Sequence, residues 1–127
     1  MATDDPVQHI PESARVEADP TPGMLREQAI AADGLWAGLV RTEPGMVSGW
    51  HHHGDNESVI FIVSGTLRME SGPGGENVVE AHAGDFLFVP AGSIHREANP
   101  DAEQSQIVVM RAGQGPPTFN VIGPAGG

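Results

Sequence analysis

Cysteine, tyrosine and lysine are all missing from this chain of 127 residues, and all six of its cations are arginine. Those gaps exclude disulfides, thiolate metal sites, iron–sulfur clusters, thiol nucleophiles, Schiff-base chemistry and phenolic acids. Cations are also few. Seventeen acidic residues set a formal charge of -11, which argues against nucleic acid or anionic membranes as partners, since both need clustered positive charge. No run of about 18 apolar residues exists, so no spanning helix is expected. The start, Met1-Ala2-Thr3-Asp4-Asp5-Pro6, lacks the basic and apolar regions of a signal peptide, and a cytoplasmic location is the expectation. Any chemistry must come from His, carboxylates, Ser/Thr or a bound metal.

What the chain does have is glycine (17), proline (11) and short apolar runs between them, the pattern of many short strands joined by tight turns. The length fits one domain. Residues 1–34 read as an N-terminal arm, with Pro6, Pro11, Pro20 and Pro22 and scattered charge; within it, Met24 to Ala32 suits a short helix or an edge strand. Strands are predicted over Leu35–Thr42, Met46–His53, Ser58–Val63, Thr66–Glu70, Asn77–His82, Phe86–Val89, Ile94–Ala98 and Gln104–Arg111. The run from Ser58 to Val63 is continuously apolar and predicts burial on both faces. Residues 113–127 read as a Pro/Gly-rich tail with one apolar piece, Phe119 to Ile122. The fold class is all-β, an antiparallel sandwich or barrel of jelly-roll type.

Histidine carries the chemical signal. His51, His52 and His53 are consecutive, and His95 follows a Pro90-Ala91-Gly92 corner. On a strand, His51 and His53 share one face and His52 points to the other. Two imidazoles on one face, a nearby carboxylate and a third imidazole from elsewhere suit a divalent metal. His9 and His82 read as structural or solvated.

Two blocks, Gly45-x5-His51-x-His53-x3-Glu57 ending at Gly65, and Gly84-x5-Pro90-x-Gly92-x2-His95-x3-Asn99, resemble the two signature motifs of the cupin superfamily, and the likeness spans roughly residues 35–112. The resemblance implies a small double-stranded β-helix (cupin) barrel, often a homodimer, with one divalent transition metal (Fe, Mn, Ni, Zn or Co) on His51, His53, Glu57 and His95. One departure stands out. The family has six residues between its glutamate and the closing glycine; Ser58 to Ser64 makes seven. Counting back from Gly65 puts Ser58 at the glutamate position, and a one-residue shift reverses the face. Glu57 reaches the metal only if a bulge or turn absorbs the extra residue; otherwise three His and water, or Asp55, complete the set.

Trp50, Phe61, Phe86 and Phe88 are the large apolar groups near the motifs, candidates for core and for the wall of a substrate pocket. Asn99 is expected to bond backbone in its loop, and Arg96 to point away from His95 into an ion pair. The leading functional expectation is a metal-dependent enzyme on a small organic molecule, dioxygenase-like. The alternatives are a metal-dependent isomerase or lyase, a non-catalytic binding or sensor module, and a structural barrel.

Overall fold

The computed structural model describes residues 1–126. Eleven strands run in chain order: β1 (Val16–Thr21), β2 (Met24–Ala32), β3 (Leu35–Thr42), β4 (His51–His52), β5 (Glu57–Ser64), β6 (Thr66–Ser71), β7 (Asn77–His82), β8 (Phe86–Val89), β9 (His95–Ala98), β10 (Ser105–Ala112) and β11 (Phe119–Asn120). Among the described residues, helical structure is limited to two short 3-10 turns, Glu12–Ala14 and Pro73–Gly75. The strands form a six-stranded sheet, β1-β2-β3-β10-β5-β8, and a five-stranded sheet, β11-β4-β9-β6-β7, with every pairing antiparallel. This is the jelly roll that the strand pattern predicts.

The core lies between the sheets and follows the period-two alternation of strands. Val40, Ile60, Ile62, Val89, Ile107 and Val109 face inward from the larger sheet, Leu67, Met69 and Ala81 from the smaller. Ile62 is fully buried, so Ile62→Ala removes packed methyl groups at a cost of about 2–5 kcal/mol. Trp36 also turns inward and lies across Gly38, where a Cβ would come within 2.6 Å of the indole. Only glycine there lets the indole pack flat on its own sheet.

Four expectations need correction. Residues 1–34 are not one arm: β1 and β2 form a hairpin that extends the larger sheet, and Met24 is in the core. The prolines concealed this because Pro20 sits on the edge strand and Pro22 in the turn, positions where a missing N–H is harmless. β5 is not buried on both faces. Ser58, Ile60 and Ile62 face inward, while Val59 and Phe61 are half-buried and Val63 is exposed on the outer face. The barrel does not end at residue 112 either: β11, in the segment read as a tail, pairs with β4 and adds an edge strand to the smaller sheet. The strand expected over Met46–His53 shrinks to His51–His52, with one isolated bridge from Val47 to Ala98.

Candidate metal centre

His51 and His95 are direct cross-strand partners on β4 and β9. His53 follows β4 at the start of a tight turn closed by the Asn56 N–H donating to the His53 carbonyl at 3.0 Å. The three rings converge with centroids 4.4–5.2 Å apart, and one ligand atom from each lies within 4.8 Å of the others. The two sequence blocks are stitched together by the Gly92 N–H donating to the Gly54 carbonyl at 2.8 Å. Gly54 itself takes φ 61, and a Cβ there would fall 2.7 Å from Phe119.

Each ring is held in the same way. The Nδ1 of His51 meets the Gly49 carbonyl at 2.9 Å, that of His53 the Pro117 carbonyl at 2.7 Å, and that of His95 the Ser93 carbonyl at 2.9 Å. A carbonyl only accepts, so each Nδ1 carries the proton and donates. The Nε2 lone pairs are thereby left for a cation, the second layer of contacts that metal-binding histidines require. Burial pushes the His53 pKa down from 6.5 to about 4, the backbone bond opposing it and the Arg111, His95 and His51 charges adding to it. Burial likewise lowers the His95 pKa. These two rings are therefore neutral at pH 7, the form that coordinates. Ser58 Oγ is buried without a hydrogen-bond partner among the described residues, and Ser58 lines a small chamber with His53 and His95. An unsatisfied buried hydroxyl there suits a water or ligand oxygen held on a metal. Donor chemistry, tautomer and this orphan group all fit a divalent ion of the Fe, Mn, Ni, Zn or Co type.

Glu57 is not brought to the histidines. It is exposed on the outer face of β5, and Ser58 takes the inward position beside them. A bulge in β5 does exist: Ile107 pairs with Ile62 and Gln106 with Ser64, leaving Val63 extra. It lies at the far end of the strand and leaves Ser58 rather than Glu57 inward.

The proposed pocket aromatics are also displaced. Phe86 and Phe88 are 65% and 59% exposed on the outer face of the larger sheet, and Phe61 packs on Phe86 there at 4.9 Å. Trp50 lies under the Arg96 guanidinium at 4.7 Å, away from the cleft. Their phase along the strands decided this, since Leu87 and Val89 occupy the inward face of β8. The cleft bordered by His51 measures about 610 Å³ and is lined instead by Met24, Arg26, Trp36, Met46, Glu97 and Arg111 among others; Met24, Arg26, Trp36, Glu97 and Arg111 also line the small chamber with His53 and His95. Trp36, Arg111, Ser58 and Val89 form one inward row across β3, β10, β5 and β8. Glu97 stands two residues beyond His95 on β9 and so on the same face. That His-x-Glu spacing was the available signal for it in the sequence.

Other expectations hold. His52 turns away, stacking on Phe119 at 5.0 Å. Arg96 makes a two-pronged ion pair with Glu70, at 3.0 and 3.1 Å. Buried Asn99 accepts from the Asp101 N–H and donates to the Thr42 and Glu103 carbonyls.

A two-sheet jelly roll with inward histidines from two motifs, clustered so that they could hold a metal ion, defines a small β-barrel of the double-stranded β-helix type. The family model for the cupin domain matches residues 38–111, and the chain belongs to that family. Among solved structures, KdgF from a Halomonas species is similar at 18% identity, covering 86% of this chain and 96% of its own, with a TM-score of 0.70. The polyketide cyclase RemF from Streptomyces resistomycificus is 18% identical over 91% of this chain and 86% of its own, with a TM-score of 0.75. An RmlC-like cupin from Shewanella frigidimarina is 20% identical over 84% and 91%, with a TM-score of 0.68. At these identities the likeness carries the fold alone. No curated protein matches. No helix among the described residues is long and apolar enough to cross a membrane.

Proposed function

We propose that this cupin is a metal-dependent enzyme acting on a small organic molecule, with dioxygenase-like chemistry as the first reading. One observation supports it above the others: three histidines with Nδ1 tied to backbone carbonyls turn their remaining nitrogens toward one point beside a cleft of about 610 Å³. Held by His51, His53 and His95, a divalent metal would supply open positions for substrate and oxygen and Lewis acidity toward whatever binds there. Trp36, Met24 and Met46 give the cleft apolar walls. The test is oxygen uptake by Fe(II)-loaded protein over catechols, flavonols and β-diketones. Turnover above free metal with at least one is expected; none with any counts against the reading.

A second reading, non-oxidative isomerase or lyase chemistry, is favoured by Glu97. This carboxylate borders the cleft and makes no ion pair among the described residues. With Lys, Tyr and Cys absent, it is the group best placed to take a proton from a substrate carbon and return it elsewhere. Retained metal and bound ligand without product would instead favour a sensor or binding module. We also infer a homodimer joined through the outer face that carries Phe61, Phe86, Phe88, Val59, Val108 and Met110. Those six side chains are uncharged, with Glu57 and the Arg41–Glu27 pair on the same face beside them, so on a chain of net -11 two copies would meet on an apolar patch.

A further inference from the structure

Four of the six arginines are matched to carboxylates: Arg15 to Glu12 and Glu27, Arg41 to Glu27, Arg68 to Glu80 and Arg96 to Glu70. The other two, Arg26 and Arg111, have no carboxylate at ion-pair distance among the described residues, and both line the cleft beside the histidines. Seventeen acidic side chains were available to pair with them. An unmatched, partly buried guanidinium is costly to keep. Two of them converging on one cavity are expected where an anion from outside completes the charge.

Their surroundings are ordered for that purpose. Arg26 is fixed by donating through Nη1 to the Asp19 carbonyl (3.1 Å) and to Thr21 Oγ1 (2.6 Å), with Nη2 3.6 Å from Met24 Sδ. The Arg111 guanidinium lies 5.5 Å from the Trp36 ring centre, and the indole N–H donates to Gln28 Oε1 at 2.9 Å. Arg111 Nε is buried and has no hydrogen-bond partner among the described residues. Burial, then the like charge of Arg26, push the Arg111 pKa down, while Glu97 and Asp19 push it up without pairing with it. A planar guanidinium with an unused donor matches a carboxylate, which accepts two parallel N–H bonds. Arg111 shares its sheet row with Ser58, the buried hydroxyl next to His53 and His95, so an anion on the arginines is a short molecule's length from the histidine nitrogens.

We propose that Arg111, supported by Arg26, is the anchoring subsite for a small carboxylate substrate, one end of which is held there while the rest faces His51, His53 and His95. The assignment rests on the metal-site reading above and names the substrate class of that site.

The experiment is calorimetric titration of malonate, pyruvate, inorganic phosphate and uncharged malonamide, with Trp36 fluorescence as a second readout. Both zinc-loaded protein and protein dialysed against a chelator are used, with metal content measured in each. Malonate or pyruvate should bind in both forms and malonamide in neither. Loss of a charge-assisted pair in Arg111→Gln should weaken the carboxylate by about ten- to a hundredfold. Arg26→Gln should weaken it less, and Arg111→Lys should restore part of the loss. Equal binding of malonate and malonamide, tighter binding of phosphate than of either carboxylate, or unchanged carboxylate affinity in Arg111→Gln overturns the proposal. If Arg111→Gln does not fold, the comparison of malonate with malonamide in the unaltered protein decides. Arg111-dependent binding in protein that retains no zinc upholds the subsite and sinks only the metal reading. Stoichiometric zinc with arginine-independent carboxylate binding does the reverse.

Discussion

At the scale of single residues, the centre depends on which ring nitrogen is free. Three backbone carbonyls, of Gly49, Ser93 and Pro117, make the same choice for three histidines. His95→Ala should therefore abolish stoichiometric metal, whereas His52→Ala and Glu57→Gln should leave it near that of the unaltered protein; metal analysis after dialysis reads all three. A pH dependence follows from burial. The His53 value lies near 4 in the folded chain against 6.5 when exposed, so between these limits the unfolded chain binds more protons. Stability of metal-free protein should accordingly be full above about pH 6.5 and decline as pH falls toward 4. Thermal midpoints across that range check it, and a midpoint that is flat or rises on acidification contradicts it. His51, His53 and His95 were legible in the sequence because spacing alone puts two on one face and the Pro90 corner delivers the third. Glu97 was equally legible by spacing. Arg26 and Arg111 were not, because they become notable only when the other four arginines are seen to be paired.

At the scale of elements, β11 and the segment before it matter more than their composition suggests. Pro117 holds His53, Phe119 stacks on His52, and Asn56 Nδ2 faces the Gln114 and Pro116 carbonyls at 3.4 Å. Removing residues 113–127 should weaken metal binding by about 10- to 100-fold, the usual cost of losing an orienting contact to a ligand histidine, while the barrel still folds. Competition with a chromophoric chelator measures the first and circular dichroism the second. Unchanged affinity would mean that the tail merely covers the surface. The strands from β3 to β10, β4 excepted, were readable from turn residues and β-branched runs, several to the residue. The first hairpin and β11 were not, because proline and glycine mask short strands whose pairing is set by distant neighbours. The phase of β5 and β8 failed for a related reason. Where nearly every residue is apolar, alternation gives no contrast, and only the sheet's partner layer decides which side is inward.

At the scale of the whole molecule, the barrel has two unlike faces. Its interior side carries the clustered histidines, and the outer face of the larger sheet exposes Phe86 and Phe88. If two copies meet there, light scattering should report a dimer, and Phe86→Glu with Phe88→Glu should give a folded monomer that still binds metal. A monomer in the unaltered protein would remove the dimer from the account without touching the site. The claim on which the rest depends is tested most directly by anomalous diffraction from crystals of protein reconstituted with Zn(II) or Fe(II). A single peak within bonding distance of His51, His53 and His95 Nε2, with Glu57 outside its shell, is the predicted result. Strong anomalous signal elsewhere with none among those three rings, or an ion ligated by Glu57, would contradict it.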